Sequence, residues 1–186
     1  MELFNAIHSR HSQGKVKTDP LPREVIEQLL SAAVQAPNHY KVRPWRFVVL
    51  TGKGREALGE RMAASFKAKF PELPQDALEK ERQKPLRAPL VIAVAAELPA
   101  EPRVNEIENI CAVAAACQNI LLAANALGLA AIWRTGDTAR DPDIKKFLGF
   151  GEGQHLLSFI YIGYPIPSEE AVNERPSFED RTIWME

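Results

Sequence analysis

Apolar and polar positions alternate along this chain in two distinct rhythms. Leu3, Phe4, Ile7 and His8 fall at helical spacing, so residues 2–10 read as a short helix that stops before His11-Ser12-Gln13-Gly14. A second helix opens at Leu21-Pro22, where proline suits the first turn, and Val25, Ile26, Leu29, Leu30 and Ala33 form its apolar stripe until Ala36-Pro37 ends it. Arg46 to Leu50 alternates and is β-branched, which predicts a strand. Residues 54–84 are charged and helical in pattern, broken at Pro71 and Pro74, and read as an exposed excursion. Strands are expected at 89–96, 130–135 and 156–164, and a long central helix at 105–127 that Gly128 stops. Asp141-Pro142 starts a short helix, with aspartate as cap and proline in the first turn. Helices come first, then strands and helices mixed at irregular spacing. That order predicts a single α+β domain over 1–186 rather than a doubly wound sheet.

Composition narrows the function classes. Of the 186 residues, 46% are hydrophobic and 25% charged, enough for one self-sufficient core, and a net charge of -1 steers the chain toward neither nucleic acid nor an anionic membrane. Asn109, Gln118, Asn119 and Asn125 dilute the most apolar stretch, so it reads as a buried helix and not a membrane span. Cys111 and Cys117 lie six apart on one helix and cannot pair. Both are expected to be core fillers in a reduced, cytoplasmic protein, and the N-terminus carries no signal-peptide pattern. No Rossmann fingerprint, phosphate loop or nucleophile elbow is present. His8 and His11 sit three apart, but no carboxylate or cysteine completes a zinc set, so no metal is expected.

Three basic segments, each at an element end, remain. Arg10-His11-Ser12 offers a charged fork and a hydroxyl at a helix-to-loop transition, although Arg-x-Ser alone is also what a solvated turn looks like. The loop from Pro37 through His39 to Arg43-Pro44-Trp45 is dense in donors and stiffened by proline; taken alone it is also a polar connector with a buried Trp anchor. In Trp133-Arg134-Thr135-Gly136 an arginine sits within an apolar strand, where it needs an anionic partner, be it a ligand or a structural salt bridge, or a route to water. Together the segments suggest one anionic ligand.

Arg-x-Ser after the first helix, Ala-Pro and a loop to Pro-Trp-x-Phe, an Ala-rich helix, Gly-Leu-Ala-Ala-Ile-Trp-Arg-Thr-Gly and a late Ile-Gly-Tyr-Pro occur in that order over nearly the whole chain. This series resembles the nitroreductase family, in particular its short NAD(P)H nitroreductase subgroup. The resemblance implies an α+β fold with a central, mostly antiparallel sheet flanked by helices, in a homodimer with FMN at the interface. It implies that Arg10, His11, Ser12, Trp133, Arg134 and Thr135 bind FMN, and that Gln35 and His39 reach it from the partner chain. It assigns Ala123, Ala124, Asn125, Ala126, Leu127 and Gly128 to a NADH or NADPH donor.

The implied activity is electron transfer from NAD(P)H to a small acceptor such as a nitroaromatic or quinone, ping-pong through flavin N5, with no side chain as catalyst. A flavin storage protein, a flavin-dependent dehalogenase and a flavin-free anion-binding module are the alternatives. Two departures stand out. Many members have Asn-x-Gln-Pro-Trp where this chain has Lys41-Val42-Arg43-Pro44-Trp45, and the C-terminal basic pair of larger members is not evident, with Arg181 its one weak candidate. The 105–127 helix is apolar on more faces than a small sheet can cover, and the tail at 165–186 is too polar for a core of its own. Both features point to a partner chain on which the tail packs.

Overall fold

The computed structural model describes residues 1–167 and 175–186. Four strands, β1 (Trp45–Leu50), β2 (Leu90–Ala96), β3 (Ala130–Arg134) and β4 (His155–Gly163), form one sheet in the order β1-β2-β4-β3. All three pairings are antiparallel. The central pair, β2 and β4, is buried on both faces, so β2 reads as a continuous apolar run instead of an alternating one. β1 and β3 are the edges.

One face of the sheet carries Leu90, Ile92, Val94, Ile160 and Ile162. Against it pack α2 (Arg23–Ala33), through Ile26, Leu29 and Ala33, and α5 (Glu106–Ala126), through Val113, Ala116, Cys117 and Ile120. A capping box fixes the start of α5, with Asn105 and Glu108 satisfying each other's backbone N–H groups. Gly128, at φ 72°, lets the chain turn out of its end, as the sequence suggests. By length and composition α5 could cross a membrane. Here Val113, Ala116, Cys117, Ile120 and Ala124 lie in the core, while Ile107 is 62% exposed on the opposite side.

The other face corrects the sequence reading. Residues 54–84 are not an exposed excursion but a helical hairpin, α3 (Gly52–Lys69) and α4 (Gln75–Gln83), that roofs Val91, Ala93, Ala95, Phe159 and Tyr161 with Leu58 and Met62. Leu58 is fully buried, which stabilises the fold by about 1.5–3 kcal/mol. The hairpin closes tightly: a Cβ on Gly59 would lie 2.2 Å from the carbonyl oxygen of Arg82, so no side chain fits there. A short helix α6 (Asp137–Arg140), absent from the sequence reading, leads into α7 (Pro142–Phe147), whose cap Asp141 accepts hydrogen bonds from the Asp143 and Ile144 amides. The first helix, α1 (Leu3–Ser9), docks on the end of α5: the Asn125 amide donates to the Ala6 carbonyl (3.1 Å) and to Ser9 Oγ (2.9 Å).

Candidate functional site

The segment after α1 is tied to the β3 edge of the sheet. The Gln13 amide donates to the Ala131 carbonyl (3.1 Å), Lys17 donates to Tyr164 (2.9 Å), and Val16 bridges Pro165. This lacing carries the loop past β3 and places Gly14 against Arg134. A Cβ on Gly14 would lie 3.1 Å from Arg134 Nη2, so the missing side chain leaves room for the guanidinium.

Among the described residues no carboxylate pairs with Arg134. Its Nε is buried and unpartnered, and its guanidinium carbon lies 5.7 Å from the centre of the Tyr161 ring. Burial pushes the Tyr161 phenol up to about 12, against the pull of Arg134 and Arg87. The phenol therefore stays neutral and supplies no anion. At the end of α1, the Arg175 side chain donates to the Arg10 backbone carbonyl at 3.5 Å. Burial chiefly, and the Arg175 charge after it, lower the Arg10 pKa. A cavity of about 360 Å³ opens beside Arg134 and Trp133, lined also by Lys84, Arg87, Thr135 and Tyr161. It shares Lys84, Thr135 and Thr138 with a second cavity of about 510 Å³ that runs along α3 to Asp141.

Six of the sequence-predicted binding residues thus gather at one edge. Arg10, His11 and Ser12 precede the laced loop, while Trp133, Arg134 and Thr135 end β3. Trp133 is steered by its indole N–H, which donates to the Leu157 carbonyl at 3.3 Å. Gln35 and His39 lie elsewhere. Gln35, just past the end of α2, donates its side-chain amide to the Ser31 carbonyl (3.4 Å), and His39 Nδ1 pairs with Glu108 on α5 at 2.9 Å. The His39 loop is strained, with Tyr40, Lys41 and Arg43 at φ 47°, 55° and 51°. It is held by Arg103, which stacks 4.0 Å from the Tyr40 ring centre. One chain does not unite these two groups. Residues 123–128 do not line the Arg134 cavity; Ala124 is fully buried and Asn125 holds α1 in place.

Sequence reasoning missed Arg175, Lys84 and Arg87. A cation in a polar tail or on a charged helix end gives no pattern, and proximity in space was the one signal. Arg181, the C-terminal candidate, instead pairs with its neighbour Asp180 at 3.1 Å. Cys111 is a correction too: it lies exposed on the outer side of α5, and only Cys117 fills the core, where burial pushes its thiol up to about 11. The expected arm at 165–186 includes residues 168–174, which lie outside the described residues. Beyond them, Ile183, Trp184 and Met185 are exposed.

Fold and site together define an α+β protein with a cavity at a sheet edge lined by Arg134, Arg87 and Lys84, the last of them paired with Glu81. Residues 7–164 match the model of the nitroreductase family. The chain is 30% identical over 166 residues to the Escherichia coli (strain K12) protein named "Putative NAD(P)H nitroreductase YdjA", covering 89% of each. A nitroreductase-like family protein from Bacillus cereus superposes with a TM-score of 0.84 at 24% identity, over 100% of this chain and 97% of that one. A nitroreductase with bound FMN from Bacteroides fragilis superposes with a TM-score of 0.74 at 22% identity over the full length of both. The chain belongs to the nitroreductase family, an oxidoreductase family.

Proposed function

We propose that this chain holds FMN non-covalently and passes electrons from NADH or NADPH to a small acceptor such as a nitroaromatic or quinone. The observation that carries the reading is the buried Arg134 Nε, without a partner among the described residues, on the same edge strand to which the segment after Arg10 is laced. Such cations are costly unless an anion completes them. A phosphate on a planar ring system answers both needs. The bound FMN of the Bacteroides fragilis neighbour and the name of the Escherichia coli relative support the choice.

Arg10 and Arg175 would hold the phosphate, with Ser12 and His11 beside the ribityl chain. Arg134, Trp133 and Thr135 would line the ring, while Lys84 across the cavity is already paired with Glu81 at 2.5 Å. Bound there, FMN would supply the hydride and electron chemistry that links nicotinamide and acceptor. The protein's own part is to position both partners, place cations where negative charge develops, and exclude water. No side chain is asked to act as acid or base.

Gln35 and His39 lie away from Arg134, which favours a homodimer in which they complete the partner's site. Exposed Ile107 on α5 and the exposed Ile183-Trp184-Met185 tail fit the same reading, with the tail packed on the second chain. Donor and acceptor then use one pocket in turn, in the cytoplasm. The decisive experiment is the absorbance spectrum of purified protein before and after reconstitution with FMN. Yellow, stoichiometric protein is expected, and a colourless chain that takes up no FMN overturns the reading. Parallel double-reciprocal plots and a flavin-loaded dimer by light scattering are expected; intersecting lines or a stable loaded monomer would refute those parts alone.

A further inference from the structure

The first turn of α5 grips His39 by one ring nitrogen and leaves the other open. Glu108 uses both carboxylate oxygens: Oε2 accepts the Asn105 backbone N–H at 2.7 Å, and Oε1 pairs with His39 Nδ1 at 2.9 Å. These donors, the Asn105 amide first, hold the Glu108 carboxyl below the usual glutamate range. An ionised carboxylate only accepts, so the proton between the two groups belongs to Nδ1. The Tyr40 ring centre lies 4.5 Å from that of the imidazole and backs one side of it. No second side-chain ion pair or hydrogen bond holds the imidazole among the described residues. The ring borders a shallow hollow of about 390 Å³ on the outer side of α5, beside exposed Ile107 and Cys111.

A neutral imidazole has two tautomers, and a hydrogen bond at one nitrogen decides which role the other plays. With Nδ1–H committed to Glu108, Nε2 is the nitrogen that meets whatever lies on the open side.

We propose that Glu108 is a positioning residue for the flavin site: it fixes the His39 ring and its proton so that Nε2 is presented to the FMN of the partner chain. This rests on the reading in which His39 completes the partner's site. Glu106, in the same turn, supplies the comparison, since it pairs with a different histidine, His155 at the start of β4, at 2.5 Å.

Glu108→Gln is the test, because glutamine still suits the capping box of α5. Its amide oxygen serves the Asn105 N–H, and its N–H groups then face His39 Nδ1, which must accept. At alkaline pH, where imidazole is neutral, nitrogen NMR of the His39 ring should show the proton on Nδ1 in the native protein and on Nε2 in the variant. Dilution of the flavin-loaded protein, followed by flavin fluorescence, should show FMN held about threefold or more weakly by E108Q. His39→Ala should weaken FMN at least as much, and adding Glu108→Gln to it should change nothing further, because a residue that acts through another has no effect once the other is gone. Glu106→Gln, which unpairs His155, should leave FMN binding unchanged. Additive losses in the double variant would overturn the proposal, as would equal losses from Glu106→Gln. So would a yellow native protein with the proton on Nε2, or a switched tautomer with FMN binding unaltered. A colourless native protein would overturn the flavin reading itself, a failure that the absorbance spectrum shows before any variant is made.

Discussion

Arg134 and Asp141 lie a short stretch of chain apart and face the same pair of connected cavities, yet their charges are treated in opposite ways. Asp141 is oversupplied: Lys69 Nζ at 2.7 Å, the Ser65 hydroxyl and the amides of Asp143 and Ile144 all donate to it. Burial alone would raise its pKa, but these donors outweigh burial and hold the carboxyl below the usual aspartate range. Arg134 receives nothing comparable among the described residues. A charge that the fold satisfies by itself serves the fold, whereas a charge left open at a cavity serves whatever enters. Between Arg134 and Asp141 the same region therefore holds one charge that the fold satisfies and one that it leaves open.

Removing Asp141 should produce the largest effect. Asp141→Ala strips a buried cap and strands Lys69 and Ser65, so stability should fall by about 3–5 kcal/mol in chemical denaturation. FMN affinity measured in the folded fraction should stay nearly constant; a parallel loss of FMN would show that the two regions are not separable. Arg134→Ala should do the reverse. FMN affinity should drop by about 1.5–3 kcal/mol by fluorescence titration, the worth of a charge-assisted hydrogen bond, while the flavin-free protein unfolds no more easily than before. A clear stability loss without a change in FMN affinity would make Arg134 structural after all.

The acid limb gives a third distinction. The Asp141 pKa is lower folded than unfolded, so its contribution is fully present above the ordinary aspartate value of about 4 and is lost as pH falls through the folded value. Asp141→Asn should flatten that part of the acid unfolding curve, and Arg134→Ala should leave it unchanged. The smallest effect belongs to His39→Ala. Its pair with Glu108 is half exposed, so stability should change by only about 0.2–1 kcal/mol in thermal unfolding. A larger change would mean that the pair fastens the strained His39 loop.

The sheet was readable because β-branched alternation and a fully apolar β2 leave little choice of period. The hairpin was not, because on α3 a few buried side chains, Leu58 and Met62 among them, are outnumbered by charges, and pattern reading weighs the majority. Cys111 misled for a related reason: residue type predicts burial on average, but the face of a helix is decided by what packs there. Arg134 was legible since an arginine in an apolar strand breaks the local rule. Arg175, Lys84 and Arg87 break no such rule; the roofing by α3 and α4 brings Lys84 and Arg87 to the Arg134 cavity, and Arg175 meets Arg10 only through the fold.

Gly59 sets how this groove tolerates change. With the Arg82 backbone seated where a Cβ would be, the two helices of the hairpin behave as one plate, and Lys84, just past the end of α4, is carried on its rim. In a saturation library selected for bulkier acceptors, the position with no side chain at all should be the least permissive in the roof, while the exposed tip around Phe70 should accept nearly anything. The width of the entrance is then inherited through backbone contact, and variants that widen it should arise at the tip or the lining, leaving the glycine untouched.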